Sequence, residues 1–269
     1  DDAVAVVHFA ASKAVGESVQ KPLLYYRNNL NGLINVLEMM EKHGVKGLVF
    51  SSSCTVYGQP EKLPVTEETP FAKAESPYGN TKKISEEIIQ DTLRAVPTLK
   101  AIALRYFNPI GAHPSAQIGE LPNGTPNNLM PYITQTAIGI RECLSVFGND
   151  YNTPDGTPIR DYINVVDLAK AHVAAVKHLN SAKNDKQFDF FNIGTGKGST
   201  VLEIVDSFER STGVKLNYKI VGRRAGDIEK VWADTTKANK VLGWKAEKTL
   251  DETTLSAWEW EKHLRAKSE

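Results

Sequence analysis

A phenol and an amine four residues apart, Tyr78 and Lys82 in the run Ser76-Pro77-Tyr78-Gly79-Asn80-Thr81-Lys82, are the residues of this sequence best suited to proton transfer beside a redox step. Ser76 can cap a helix and Pro77 suits its first turn, so the spacing places Tyr78 and Lys82 on one helix face. A tyrosine ionises at a pKa of about 10; making it a base near neutrality takes roughly 3 units, about 4 kcal/mol. One cation at about 4 Å in an effective dielectric of ~20 supplies on the order of 4 kcal/mol, while burial of the phenolate opposes it. The expectation is that Lys82 lowers the Tyr78 pKa.

These side chains need a scaffold. The segment Gly47-Leu48-Val49-Phe50-Ser51-Ser52-Ser53-Cys54-Thr55-Val56-Tyr57-Gly58 reads as a buried parallel strand running into a hydroxyl-rich loop, and in open α/β sheets ligands bind at such strand ends. Strand and helix signals alternate, which predicts an α/β fold with a mainly parallel sheet flanked by helices. Strands are expected over 4–10, 47–53, 100–106 and 188–194, and near 144–147 and 216–222. Helices are expected near 19–43, from Tyr78 to about Ala95, from Asn164 onward, and near 200–212, 235–242 and 250–265. Residues 108–128 are rich in Pro, Gly and Asn and mark the entry to a second lobe. The glycine-rich run Gly194-Thr195-Gly196-Lys197-Gly198-Ser199-Thr200 lacks dinucleotide-binding spacing and reads as a tight strand-to-helix connection.

Composition narrows the class. Lys plus Arg and Asp plus Glu both number 32, which argues against a dedicated nucleic-acid surface, and 269 residues suffice for a sizeable core. Cys54 and Cys143 have neither metal-ligand spacing nor a partner framework, which favours a reducing, cytoplasmic setting. His8, His113 and His172 form no ligand pattern, so no metal is implied. No stretch has the apolar length of a membrane span.

The Ser53 loop followed by Tyr78 and Lys82 resembles the extended short-chain dehydrogenase/reductase family, whose Ser/Thr, Tyr and Lys act as one group. Further runs narrow the likeness to the branch that inverts C4 of UDP-hexoses. They are Phe9-Ala10-Ala11-Ser12-Lys13, Leu104-Arg105-Tyr106-Phe107-Asn108-Pro109-Ile110-Gly111, Pro126-Asn127-Asn128-Leu129-Met130-Pro131, Thr157-Pro158-Ile159-Arg160-Asp161-Tyr162 and Gly222-Arg223-Arg224-Ala225-Gly226-Asp227. The resemblance implies a partial Rossmann-type sheet with a smaller α/β substrate-binding lobe. Residues 1–109 would be the catalytic part of an NAD-binding domain and 110–269 the UDP-sugar lobe, with 164–194 returning to the first.

The same resemblance implies the roles. Ser53, Tyr78 and Lys82 would be catalytic, with Tyr78 exchanging the O4 proton, Ser53 bonding O4 and Lys82 holding the nicotinamide ribose. Phe9, Lys13, Asn28, Tyr78 and Lys82 would meet NAD. Arg160 and Arg224 would meet the diphosphate, with Asn128 near it, Asp227 on a ribose hydroxyl, Asn108 and Ser53 on the sugar and Phe147 beside uracil. Val231 would gate the 2-substituent of the hexose. A homodimer is the implied assembly. The strand at 4–10 corresponds to the fourth of the family's sheet, so the sequence is expected to lack the amino-terminal glycine-rich cofactor turn and to retain NAD weakly.

Three readings compete at this stage: an NAD-dependent UDP-hexose 4-epimerase, a related sugar-nucleotide dehydratase or decarboxylase, and a UDP-sugar-binding fragment without activity. The dehydratase or decarboxylase would need acidic residues near the Ser53 loop, where Cys54 and Thr55 stand instead.

Overall fold

Ser76 and Pro77 start the helix that carries Tyr78 as the sequence predicts, the Ser76 hydroxyl accepting from the Gly79 N–H and Pro77 occupying the first turn. In the computed structural model, which describes residues 3–224 and 227–266, this helix is the third. The chain order begins β1 (Ala5–His8), α1 (Val15–Gln20), α2 (Pro22–His43), β2 (Gly47–Ser53), α3 (Pro77–Ala95), β3 (Lys100–Tyr106) and β4 (Asn108–Ile110). It continues with α4 (Leu129–Ala137), β5 (Leu144–Phe147), β6 (Ile159–Arg160), β7 (Tyr162–Asn164), α5 (Val165–Leu179) and β8 (Phe188–Ile193). It ends with β9 (Ser199–Thr200), α6 (Val201–Thr212), β10 (Tyr218–Val221), β11 (Lys230–Val231), α7 (Thr236–Leu242) and α8 (Leu250–Ala266). Ala225 and Gly226 of the 222–227 run lie outside the described residues.

The helical region expected over 19–43 is two helices, because Pro22 has no N–H to continue α1 and instead opens α2. At the other end α2 stops at Gly44, whose φ of 68° is left-handed and costs glycine little.

The chain divides into two units. The first comprises Asp1–Phe107, Lys170–Ile193 and Ala233–Lys245. Its sheet is wholly parallel in the order β1-β2-β3-β8. Every residue of β2 is buried, as a central parallel strand requires. Leu33, Leu37 and Met40 of α2 and Ile89 and Leu93 of α3 pack with Leu48, Phe50, Ala101 and Ala103 of the sheet. The return segments differ from the expected 164–194: the first begins at Lys170, and 233–245 returns as well. Two anchors hold that later segment. Ala233 bridges to Val65, and the Lys237 ammonium donates to Asp189 Oδ1 at 2.6 Å and to the Phe190 carbonyl at 2.7 Å.

The second unit comprises Asn108–Ala169, Gly194–Trp232 and Ala246–Glu269. It has small sheets, β5 with β10, β4 with β7, and β6 between β9 and β11. Ile110, Met130, Ile133, Leu144, Val146 and Phe208 lie in its core. The first turn of α6 is closed internally: Thr200 and Glu203 form a capping box, and the Val201 and Leu202 N–H groups donate to Thr157 Oγ1 at 3.1 and 3.4 Å. The 194–200 run therefore leads into a helix whose first-turn N–H donors are spent on protein oxygens. Among the described residues no helix is long and apolar enough to cross a membrane.

Candidate functional site

In the first unit the carboxyl end of β2 meets the start of α3. The Ser53 hydroxyl lies beside the Tyr78 phenol and favours its ionised form, and the Thr55 N–H donates to Ser53 Oγ at 3.3 Å, which orients that hydroxyl. Lys82 is buried and donates to the Ser51 carbonyl at 2.7 Å, with its ammonium 5.0 Å from the Phe50 ring centroid and 5.9 Å from that of Tyr78. Ser51 and Tyr106 share a short hydroxyl hydrogen bond. The approach of α3 is close: a Cβ at Gly79 would lie 3.2 Å from Thr55 Cβ and its carbonyl oxygen.

The electrostatics correct one expectation. Burial pushes the Tyr78 phenol upward, and the neighbouring Ser53 hydroxyl only partly offsets it. Burial brings Lys82 down to about 8, against an opposing attraction from the Glu86 carboxylate. Lys82 thus does not lower the Tyr78 pKa here, because its ammonium is directed at the Ser51 carbonyl and both side chains lose hydration together. His8, at the end of β1, is also lowered, by burial and then by Lys82, so it is neutral at pH 7 and adds no second cation.

The residues expected on the cofactor side occupy this same unit. Phe9 exposes its ring and packs 4.6 Å from the His172 ring, which lies 6.0 Å from Tyr106. Lys13 and Asn28 are exposed. Asn28 donates to Ser12 Oγ at 3.1 Å, and the neighbouring Asn29 binds both backbone groups of Ser12 and donates to Thr81 Oγ1 on α3 at 3.0 Å. The 9–29 segment is thereby stitched to the helix bearing Tyr78 and Lys82. Its donors fit a dinucleotide: Lys82 has three N–H donors, of which the Ser51 carbonyl takes one, and Lys13 and Asn28 add exposed polar groups beside an exposed aromatic face.

The second unit holds the substrate-side residues other than Ser53, and most of them are joined to one another. Tyr162, buried, has its pKa pushed up to about 12, and its charged neighbours are Arg160, Asp227 and Arg224. Arg224 donates to Asp227 at 2.7 Å and its guanidinium lies 5.6 Å from the Phe147 ring centroid. Val231 is buried and pairs in register with Arg160 across β11 and β6. Asn108 pairs with Tyr162 across β4 and β7, and its N–H donates to the Asp161 carbonyl at 2.9 Å. Asn128 is not joined to this set by any of these contacts; it donates to Glu120 Oε1 at 2.7 Å.

Sequence reasoning passed over Asp161, although it sits between Arg160 and Tyr162. Its buried carboxylate accepts from the Thr195 N–H and Oγ1 at 2.8 and 2.7 Å and from the Gly196 N–H at 3.2 Å. Asp161→Ala strands those donors, so we expect a loss of roughly 2–5 kcal/mol. It would show as a lower urea midpoint at unchanged slope, and an unchanged midpoint would mean that other contacts hold the turn. Glu86 and Arg105 were also passed over; the signal was Glu86 one turn beyond Lys82.

Comparison with known proteins agrees with this arrangement. The family described as GDP-mannose 4,6 dehydratase matches residues 2–256. A UDP-glucose 4-epimerase of Cyamopsis tetragonoloba is 56% identical over 255 residues, 95% of this chain and 72% of that protein. The UDP-glucose 4-epimerase of Homo sapiens is 54% identical over 259 residues, 96% of this chain and 74% of that one. Among solved structures, UDP-glucose 4-epimerase from Bifidobacterium longum in complex with NAD+ and UDP superposes with a TM-score of 0.93 at 48% identity, covering 98% of this chain and 77% of the other.

Proposed function

The chain belongs to the UDP-glucose 4-epimerase family, and from that premise we infer that it inverts C4 of UDP-hexoses, interconverting UDP-galactose and UDP-glucose through a 4-keto sugar with NAD as cofactor. The observation that carries this reading is the Ser53 hydroxyl beside the Tyr78 phenol at the end of β2, near enough to favour its ionised form, with Lys82 one turn along α3. The dehydratase or decarboxylase reading is not favoured by the residues beside Ser53, which are Cys54 and Thr55 rather than acids.

Phe9, Lys13, Asn28 and Lys82 would hold NAD, with Tyr78 beside it. NAD, when bound, supplies the acceptor and then the donor of the C4 hydride. Tyr78 exchanges the O4 proton: as a phenol it is the acid, and for the opposite half of the cycle it is the base. Ser53 holds O4 within reach of that phenol in either configuration. When Tyr78 gives up its proton, the Ser53 hydroxyl is the group that stabilises the phenolate. Arg160 and Arg224 bind the diphosphate with Asn128 near it, Asp227 takes a ribose hydroxyl, Phe147 packs beside uracil and Asn108 contacts the sugar. Binding exchanges the Arg224–Asp227 ion pair for contacts to substrate. The test is conversion of UDP-galactose to UDP-glucose with NAD supplied. Binding of UDP-galactose and NAD without conversion would overturn the reading and leave a UDP-sugar-binding protein.

Substrate breadth follows from Val231. Valine, at the position paired with Arg160, is smaller than a tyrosine by the whole phenol ring, and on that difference in size the chain accepts the N-acetylated UDP-hexose pair as well. Val231→Tyr overpacks that position by roughly 1–3 kcal/mol and should cut kcat/KM for the acetylated pair about tenfold to a hundredfold while sparing the plain pair. Equal losses on both pairs, or no acetylated turnover with Val231 intact, would defeat the gate.

The same reading implies a homodimer in a reducing, cytoplasmic setting. It is supported by apolar residues that α2 leaves exposed, among them Leu23 at 79% and Leu24 at 49%, and by Cys54 and Cys143, neither of which is in a disulfide. Light scattering at micromolar concentration checks the assembly: a monomer there would remove it.

A further inference from the structure

Glu86 has no exposed surface, and no step of the proton chemistry uses it. Both carboxylate oxygens are held: Ser52 Oγ donates to Oε1 at 2.6 Å, Arg105 Nε to Oε1 at 2.9 Å and Arg105 Nη2 to Oε2 at 2.5 Å. Arg105 also donates to the Tyr57 hydroxyl at 3.0 Å, and that hydroxyl donates to Asn192 Oδ1 at 2.7 Å. The guanidinium lies 4.0 Å from the Phe190 ring centroid. Ser52, Arg105, Tyr57 and Asn192 are all buried. A buried ion pair often gives no more stability than apolar packing of the same shape, so stability alone is a weak reason for this one.

Its place in the fold supplies a better reason. Ser52 is the neighbour of Ser53, and Glu86 is one turn beyond Lys82, itself one turn beyond Tyr78. We propose that Glu86, clamped by Ser52 and Arg105, is a positioning residue that fixes α3 to the end of β2 and so sets Tyr78 against Ser53, while its charge keeps Lys82 a cation. The proposal rests on the epimerase reading for its catalytic part. The titratable and charged groups around Lys82 are His8 on β1, Tyr78 and Glu86 on α3, and, through Glu86, Arg105 on β3. Of these, Glu86 supplies the negative charge; His8 is neutral at pH 7 and Tyr78 is a phenol.

The test pairs kinetics with a readout independent of substrate and cofactor, the pH titration of Lys82 followed by the 13C shift of its Cε. The Lys82 signal is assigned by its loss in Lys82→Met. In the unsubstituted chain the midpoint is expected near 8. Glu86→Gln should move it down by about 1 unit and lower kcat about tenfold to a hundredfold with little change in KM. Because Glu86→Gln leaves Arg105 buried without its counter-charge, Glu86→Gln/Arg105→Met is made alongside, and its midpoint should fall as well. Ser52→Ala cuts the tie to β2 and keeps the charge, so kcat should fall about tenfold with the midpoint unmoved. An unmoved midpoint in the double variant overturns the electrostatic role, and unchanged kcat in Ser52→Ala overturns the positioning role. If the unsubstituted chain does not convert UDP-galactose, the functional reading fails, and the Lys82 midpoints still decide whether Glu86 holds that charge.

Discussion

Tyr78→Phe should lower kcat for C4 inversion by about 10²- to 10⁴-fold, the range that a positioned acid/base group contributes, while UDP-hexose binding persists. The variant keeps the ring, which is half-buried, and removes only the hydroxyl beside Ser53. Most of the fold should therefore be undisturbed, and the loss should fall on kcat rather than KM. Single-turnover assays with both UDP-galactose and UDP-glucose isolate the chemical step from product release. Substantial inversion by Tyr78→Phe would transfer the proton role to another group, and Ser53 would be the next to examine.

Lys82→Met should produce the second large effect and carries a sign that can be checked without turnover. Lys82 in the folded chain titrates near 8, against about 10.4 for an unfolded lysine. Below the folded value both states hold the proton, and burial of the cation weighs against folding in full. Between about 8 and about 10.4 the unfolded chain binds more protons, so the Lys82 contribution makes stability rise with pH across that window. The full excursion is on the order of 3 kcal/mol, and Lys82→Met should lose that rise. In kinetics the sign is opposite. If activity needs the Lys82 cation, kcat/KM falls as pH rises through about 8, and Lys82→Met is slow at every pH and lacks that limb. Denaturation midpoints of the two chains from pH 7 to 10 decide the first point; parallel curves would show that Lys82 is not titrating there.

Much of the architecture was legible because its causes are local. Ser76 and Pro77 define the start of α3 through one hydroxyl and one fixed φ, and the runs at 47–53, 100–106 and 188–193 are rich enough in apolar residues to suit strands of a parallel sheet covered by helices. The elements that escaped are those with too few residues to show a period. β6, β9 and β11 have two residues each, and they exist because neighbouring segments complete their hydrogen bonds. α4 was hidden by Pro131, which reads as a breaker yet sits in the first turn, where helix N–H groups have no intrahelical partner. The return of 233–245 rests on Lys237 meeting Asp189 and on a bridge to Val65, pairings between residues far apart in the chain.

The chemistry divides the same way. By itself the sequence determined which groups are present and their spacing on one helix: a phenol, an amine one turn on, and a serine at the end of a buried strand. It also carried the likeness that the relatives bear out, since residue types in order survive without coordinates. Only the tertiary structure decided the state of those groups. Whether Lys82 lowers Tyr78, or both are driven toward their neutral forms, depends on how much water each loses and where the ammonium points. The Phe50 ring, the Ser51 carbonyl and the walls of β2 and α3 settle both. Desolvation is a property of everything packed around a group, so spacing along one helix cannot express it. The Glu86–Arg105 pair, joining α3 to β3, belongs to the same class of fact.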